Sequence, residues 1–144
     1  MTMSLFEFKK QFLELKAPES FPTGNYQAEW LGPKWFQNSA RFSLNFLSFR
    51  HWWGKSFDGS EIAYNLFLPP HSTDFQMRYP MDLSIGKSRL DGKPSLILEY
   101  TKNAPFPWPY FVDEFRVLNG TDLLGMNYSK LSPFLALPFL IRKI

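Results

Sequence analysis

The chain contains no cysteine, and its 144 residues include only two histidines, His51 and His71. Without cysteine there is neither a disulfide framework nor a thiolate nucleophile. With two imidazoles a histidine-rich metal centre is excluded, and a site built of carboxylates alone would be unusual for a transition metal. No metal and no cofactor is therefore expected. Nor does any segment approach the roughly 18 consecutive apolar residues of a membrane-spanning helix. The greasiest stretch, Leu131 to Ile141, is short and holds Pro133 and Pro138. The opening residues, Met1 to Lys10, lack the apolar core of a secretory leader, so the expected location is cytoplasmic. Charge is not one-sided: 16 Lys and Arg face 13 Asp and Glu, and the basic residues are scattered. Nucleic acid is thus not an expected partner. A glycine-rich phosphate loop, a G-x-S-x-G elbow and an H-E-x-x-H pair are all missing, which removes the best-marked hydrolase and nucleotide-dependent classes.

What the chain does have is aromatic side chains, 19% of all residues, with 16 Phe. It also has three turn signals, Asp58-Gly59, Asp91-Gly92 and Asn119-Gly120, each between short runs of aromatic and branched residues. Such dipeptides suit the type I′ turn, which needs positive φ at both central residues, and they predict three β-hairpins. Aromatics favour strands and bury large areas. An excess of them in a small β domain fits either a packed core or an apolar cavity walled by rings.

The length predicts one domain over residues 1–144. Ser4 and Glu7 form a capping-box pattern ahead of an apolar stripe at Leu5, Phe8, Phe12 and Leu15, and Pro18 follows. A helix over about 4–17 is expected to flank or plug the sheet. Its balanced charge makes it a weak membrane-surface element at most. Strands are expected from about residue 22 to 143: Asn25 to Leu31; Trp53, Lys55 and Phe57 on one face; Ile62, Tyr64 and Leu66 on one face; Phe75 to Ile85 interrupted near Pro80; Ser95 to Thr101; Phe111 to Leu118; Asp122 to Tyr128; and Leu135 to Lys143. The last must absorb Pro138 and reads as an edge or bulged strand. Residues 39–50 are ambiguous: Phe42, Leu44 and Phe46 alternate as in a strand, but a short helix closing one end of the sheet is favoured, capped by Ser39 and apolar along Phe42, Phe46, Phe49 and Trp53. About eight strands with local connections predict a mainly β fold, a single antiparallel up-and-down barrel with an N-terminal helix. Closure removes exposed edges, and eight strands leave room for side chains or one small ligand.

Two ionisable residues carry the candidate chemistry. Neighbours on a strand point to opposite faces, so Asp113 and Glu114 cannot serve one site. Asp113 shares its face with Phe111, Phe115 and Val117 and is the inward candidate, while Glu114 is expected to pair outside with Arg116. Lys55, between Trp53 and Phe57, is either a solvated lysine or a buried cation needing a counter-ion, for which Asp113 is the natural partner. Arg89, Tyr64 and Tyr100 are further polar handles for an apolar cavity.

Longer strings are suggestive too. Pro22-Thr23-Gly24-Asn25-Tyr26 with Trp30-Leu31-Gly32, then Trp53-Gly54-Lys55-Ser56-Phe57, Val112 to Arg116 and Leu123 to Met126, together resemble a divergent member of the GXWXG-motif proteins of unknown function. Tyr26 and Ala28 stand where that family has tryptophan and its second glycine. The resemblance implies a lipocalin-like, calycin-style barrel and adds weight to Lys55, Asp113 and Arg116. Three functions follow as expectations. The first is binding of a small hydrophobic molecule, such as a fatty acid, another lipid or an aromatic metabolite. Its walls would be Tyr26, Trp30, Trp53, Phe57, Tyr100 and Phe115, and its polar end Lys55, Arg89 and Asp113. The second is an isomerase or cyclase using Asp113 and Lys55 for proton transfer. The third is a filled barrel that meets a partner through the loop Pro105 to Pro109.

Overall fold

The structure, a computed structural model, describes residues 3–46 and 48–144, without the side chain of Phe46. Eight antiparallel strands follow one another around a closed barrel. They are β1 (Thr23–Trp30), β2 (Trp52–Asp58), β3 (Ile62–Phe67), β4 (Gln76–Lys87), β5 (Pro94–Tyr100), β6 (Phe111–Asn119), β7 (Asp122–Ser129) and β8 (Ser132–Lys143). This is the expected up-and-down barrel with an N-terminal helix. It closes through β8, which pairs with β7 on one side and β1 on the other. The last strand is therefore no edge; it is the bulged strand of the expectation, its register against β7 shifting between Asn127 and Ser129. Pro138 is tolerated because β1 ends at Trp30, paired with Phe139, and Pro138 faces the chain only where it has left the ladder. Its carbonyl still accepts from the Leu31 N–H.

The three glycine turns do connect strands, but not as type I′. Gly59, Gly92 and Gly120 have positive φ, and Asp58, Asp91 and Asn119 do not. The aspartates act through their carboxylates instead: Asp58 accepts from the Ser60 N–H and Asp91 from the Lys93 N–H. Asn119 is the last residue of β6 and leaves Gly120 as the first of a two-residue loop. The expectation took each pair as the two central residues, whereas only the glycine enters the left-handed region.

Helix α1 (Leu5–Glu14) is capped as read, with the Ser4 hydroxyl accepting from the Glu7 N–H. It lies outside the barrel. Phe12 is fully buried there against Ile97, Val112, Leu124, Met126 and Tyr128. A polar layer sits beneath it. Arg116 is completely buried, grips Asp91 with two hydrogen bonds of 2.7 and 2.8 Å, and stacks under the Phe12 ring. Glu114 takes the Tyr128 hydroxyl and the Arg89 N–H. The expected Glu114–Arg116 pair is thus corrected. Both residues do face outward, but each finds a partner from another strand or turn because α1 seals them from water.

Helix α2 (Lys34–Phe46) begins five residues before the expected Ser39 cap. Phe36, Ala40 and Leu44 turn toward the barrel, whereas Phe42 is exposed. Of the expected stripe, the Phe46 side chain lies outside the described residues. A register shift between Trp52 and Gly54 explains a further difference. The bulge places two residues where one would sit, so Trp52 points inward and Trp53 outward, against Phe75. A Cβ on Gly54 would lie 1.9 Å from the Tyr26 carbonyl oxygen, so β1 and β2 can approach here only over glycine. Gly54→Ala is expected to cost about 2–3 kcal/mol, the upper part of the range for overpacking. Urea unfolding checks it, and a variant as stable as the parent would mean that the strands separate freely.

Candidate functional site

The barrel interior has two halves. Toward the β2–β3, β4–β5 and β6–β7 turns it is filled. Tyr26 meets Phe57 edge-on at 5.3 Å, Phe115 meets Phe139 at 5.2 Å, and Leu83, Leu96, Leu123 and Ile141 complete the packing. Toward the other end, beneath α2 and the β5–β6 loop, a cavity of about 250 Å³ remains.

Its walls are apolar, built from Trp30 on β1, Trp52 on β2, Phe111 on β6, Leu137 and Phe139 on β8, and Trp108 in a short 3-10 turn (Trp108–Tyr110). Phe36, Ala40 and Leu44 of α2 form the roof, with Ser39 and Ser43 at its border. Phe49, which follows α2, inserts below the roof and packs on Trp108 at 4.4 Å and on Tyr79 and Phe67 at 5.3 Å.

One end of the cavity is polar. Strand alternation turns Lys55, Asn65, Asp113 and Asn127 inward from β2, β3, β6 and β7. Lys55 Nζ lies 2.9 Å from Asp113 Oδ2, 2.9 Å from Asn65 Oδ1 and 3.3 Å from Met81 Sδ. An ammonium has three protons, so all its donors are engaged. It also sits over the Trp52 ring at 5.7 Å. Asp113 Oδ1 accepts from Asn127 Nδ2 at 2.8 Å. Two ionised oxygens offer about four acceptor sites, so Asp113 keeps capacity on the side that faces the cavity. The pair is neutral as a whole, with one bare face, and that face accepts.

Tyr100 closes this end. Its hydroxyl takes a long contact of 3.5 Å from Asn65 Nδ2. Burial, reinforced by the Asp113 charge, holds its phenol well above the usual tyrosine range. It therefore stays protonated and is not a base.

Of the residues expected from sequence, Trp30, Lys55, Tyr100 and Asp113 come together around the cavity. Tyr26, Phe57 and Phe115 also face the barrel interior, but in its filled half. Three expectations are corrected. Trp53 is turned out by the bulge. Tyr64 lies on the outer face because Ala63, Asn65 and Phe67 take the inner one. Arg89 sits past the end of β4 on the outside, where it bonds Glu99 at 3.1 Å. Sequence reasoning missed Trp52, Asn65 and Asn127. The glycine inside a strand was the available signal for the first. Asn127 shares its face with Leu123 and Gly125, and that alternation was the signal for it.

No group on the described residues gathers three or more potential metal-binding side chains, and no described helix is long and apolar enough to cross a membrane. Compared with known proteins, the chain matches no family model, no curated protein and no solved structure.

Proposed function

We propose that the barrel binds one small, uncharged, mostly apolar molecule whose single polar group donates a hydrogen bond to Asp113. The observation that carries this is an apolar cavity of about 250 Å³ whose polar end is a neutral, donor-saturated ion pair. That volume lies just below the ~300–1,000 Å³ usual for ligand pockets, which suits a one- or two-ring metabolite or a short chain over a long acyl chain. An anionic head group is disfavoured. It would meet the Asp113 carboxylate while finding every Lys55 donor engaged, and a buried unpaired charge is costly. An alcohol, phenol or amide N–H meets the accepting face directly. The lipocalin-like resemblance agrees with a ligand-holding barrel, and we retain membership of the GXWXG-motif proteins as part of the same proposal.

Titration with 2-naphthol, naphthalene and 2-naphthoate, read by quenching of the cavity tryptophans, tests the reading. The expected order of affinity is naphthol, then naphthalene, with naphthoate weakest. A single hydrogen bond to a charged acceptor contributes about 1.5–3 kcal/mol, so naphthol is expected to bind about tenfold or more tighter than naphthalene. Tightest binding by naphthoate would show that Lys55, not Asp113, faces the ligand.

A proton-transfer enzyme on this site has one observation in its favour, the carboxylate buried among rings. Asp113→Asn separates the two readings, since it would abolish turnover while leaving an acceptor oxygen for the ligand.

A further inference from the structure

The two ends of the barrel differ in chemistry. The end over the cavity is formed by residues 31–46, 48–51, 68–79, 101–110 and 130–135 with the last residues of β1 and β5, and carries six Lys or Arg against three acids, Asp74, Glu29 beside Arg41 and Glu99 beside Lys130. The remainder of the chain holds ten Lys or Arg against ten Asp or Glu. The net charge of +3 thus lies at the mouth, over a body of balanced charge. All six cations, Lys34, Arg41, Arg50, Arg78, Lys102 and Lys130, are exposed. Lys130 leans toward Glu99 at 3.4 Å, and Arg78 stacks on the Phe67 ring.

The same end exposes large apolar side chains. Trp35 and Phe42 are 65% and 74% exposed. They stand seven residues apart on one flank of α2, two turns of helix, with Ser39 between them. Ser39 and Ser43 border the cavity, so that flank edges its opening. Phe106, in the β5–β6 loop, is 80% exposed, and Leu131, at the β7–β8 turn, is 82% exposed. At the opposite end the three connections, residues 59–61, 88–93 and 120–121, contain no aromatic residue.

Exposed aromatics ringed by cations match a bilayer interface. Trp and Phe settle at the head-group boundary, and Lys and Arg are drawn to anionic lipid. The apolar groups project from several elements, with Met77 at the start of β4 and Phe134 at the start of β8 exposed as well. A protein interface needs a packed, contiguous core, whereas a fluid surface receives scattered protrusions without matching their shape. We infer that the open end of the barrel docks on anionic membrane surfaces, with Trp35, Phe42, Phe106 and Leu131 inserted at the head-group level and the six cations above lipid phosphates. The start of helix α1 borders the mouth too, with Leu5 against Gly32, Lys9 donating to the Phe134 carbonyl and Phe6 exposed. The inference stands on charge and exposure alone, so it survives or fails independently of what the cavity binds.

Co-sedimentation with vesicles tests it. One set is phosphatidylcholine, and the other replaces about a third of it with phosphatidylglycerol. The chain is expected to partition about tenfold or more onto the anionic set, and less so in high salt. Trp35→Ser with Phe106→Ser is expected to lower that partitioning about tenfold, with an unchanged thermal midpoint. Arg41→Glu with Lys102→Glu reads the same surface through charge alone and is expected to do the same. Ile144→Ser, an exposed apolar residue at the far end, is expected to change nothing. Equal partitioning onto both vesicle sets, equal partitioning by the rim variants, or a dimer in solution that those variants dissolve would each overturn the inference. The last would show that a second copy covers the mouth.

Discussion

Asp113→Ala is expected to destabilise the protein by about 3–5 kcal/mol, the cost of leaving a buried charge without its partner. Lys55 and Asp113 are 1% and 4% exposed at their side chains, so water cannot replace the lost carboxylate. Asn65 and Met81 would remain around the ammonium, but neither carries charge. Lys55→Met together with Asp113→Leu removes both charges and should recover most of the loss, since a buried pair contributes little net stability over an apolar pair of similar size. Urea unfolding of the parent, Lys55→Met, Asp113→Leu and the double variant forms a double-mutant cycle that isolates the coupling. If the single variant loses less than about 1 kcal/mol, in the range of exposed pairs, the cluster is hydrated and the cavity is not a dry site.

Arg116→Met should cost about 3 kcal/mol, toward the lower end of the same range because Asp91 keeps some exposure. Arg116 joins three parts of the chain: strand β6, the β4–β5 turn through Asp91 and Lys93, and α1 through the Phe12 carbonyl and ring. Its removal should free α1, seen as faster amide exchange across residues 5–14 with the barrel strands still protected. The hydrogen bond from Arg116, with help from the Lys93 N–H, holds the Asp91 carboxyl below the usual carboxylate range. A depressed folded-state value means that the contribution is present above the ordinary Asp value of about 3.9 and is lost as pH falls through the folded value. Acid melting of the parent should therefore steepen below about pH 4, and Arg116→Met should flatten that limb. An unaltered acid limb would show that Asp91 is not held by Arg116.

The barrel was legible because its strands alternate cleanly where they matter. Leu96, Leu98 and Tyr100 point inward as their spacing says, and so do Phe111, Asp113 and Phe115. That alternation also paired Lys55 with Asp113, two strands that are far apart in sequence and meet only across the closed barrel. Parity failed where the backbone gains a residue. The bulge at Trp52 to Gly54 exchanges two tryptophans between cavity and exterior, and period-two reading has no means of counting an extra residue. On β3 the inner face is Ala63, Asn65 and Phe67, which reads as the solvent face beside Ile62, Tyr64 and Leu66. Asn65 belongs inside because it accepts there from Lys55 and the Trp52 indole and donates to the Tyr79 carbonyl. A helix closing one end of the sheet was legible in the roof, but its start and its inward face were not. Its face mixes Phe36, Ala40 and Leu44 with Ser39 and Ser43, residues that border an opening and so carry a weak apolar signal. Which half of the interior stays empty depends on ring packing, such as Phe115 against Phe139, and no local pattern encodes it.

Isothermal titration of 2-naphthol into the parent chain and into Ala40→Trp addresses the ligand-holding cavity most directly. Ala40 lies in the roof, on α2, whereas Lys55 and Asp113 stand on β2 and β6, so an indole there is expected to occupy the cavity. The parent should bind one equivalent, and Ala40→Trp should bind none while melting at or near the parent temperature. Equal binding by both chains, or none by the parent, would contradict a ligand held beneath α2.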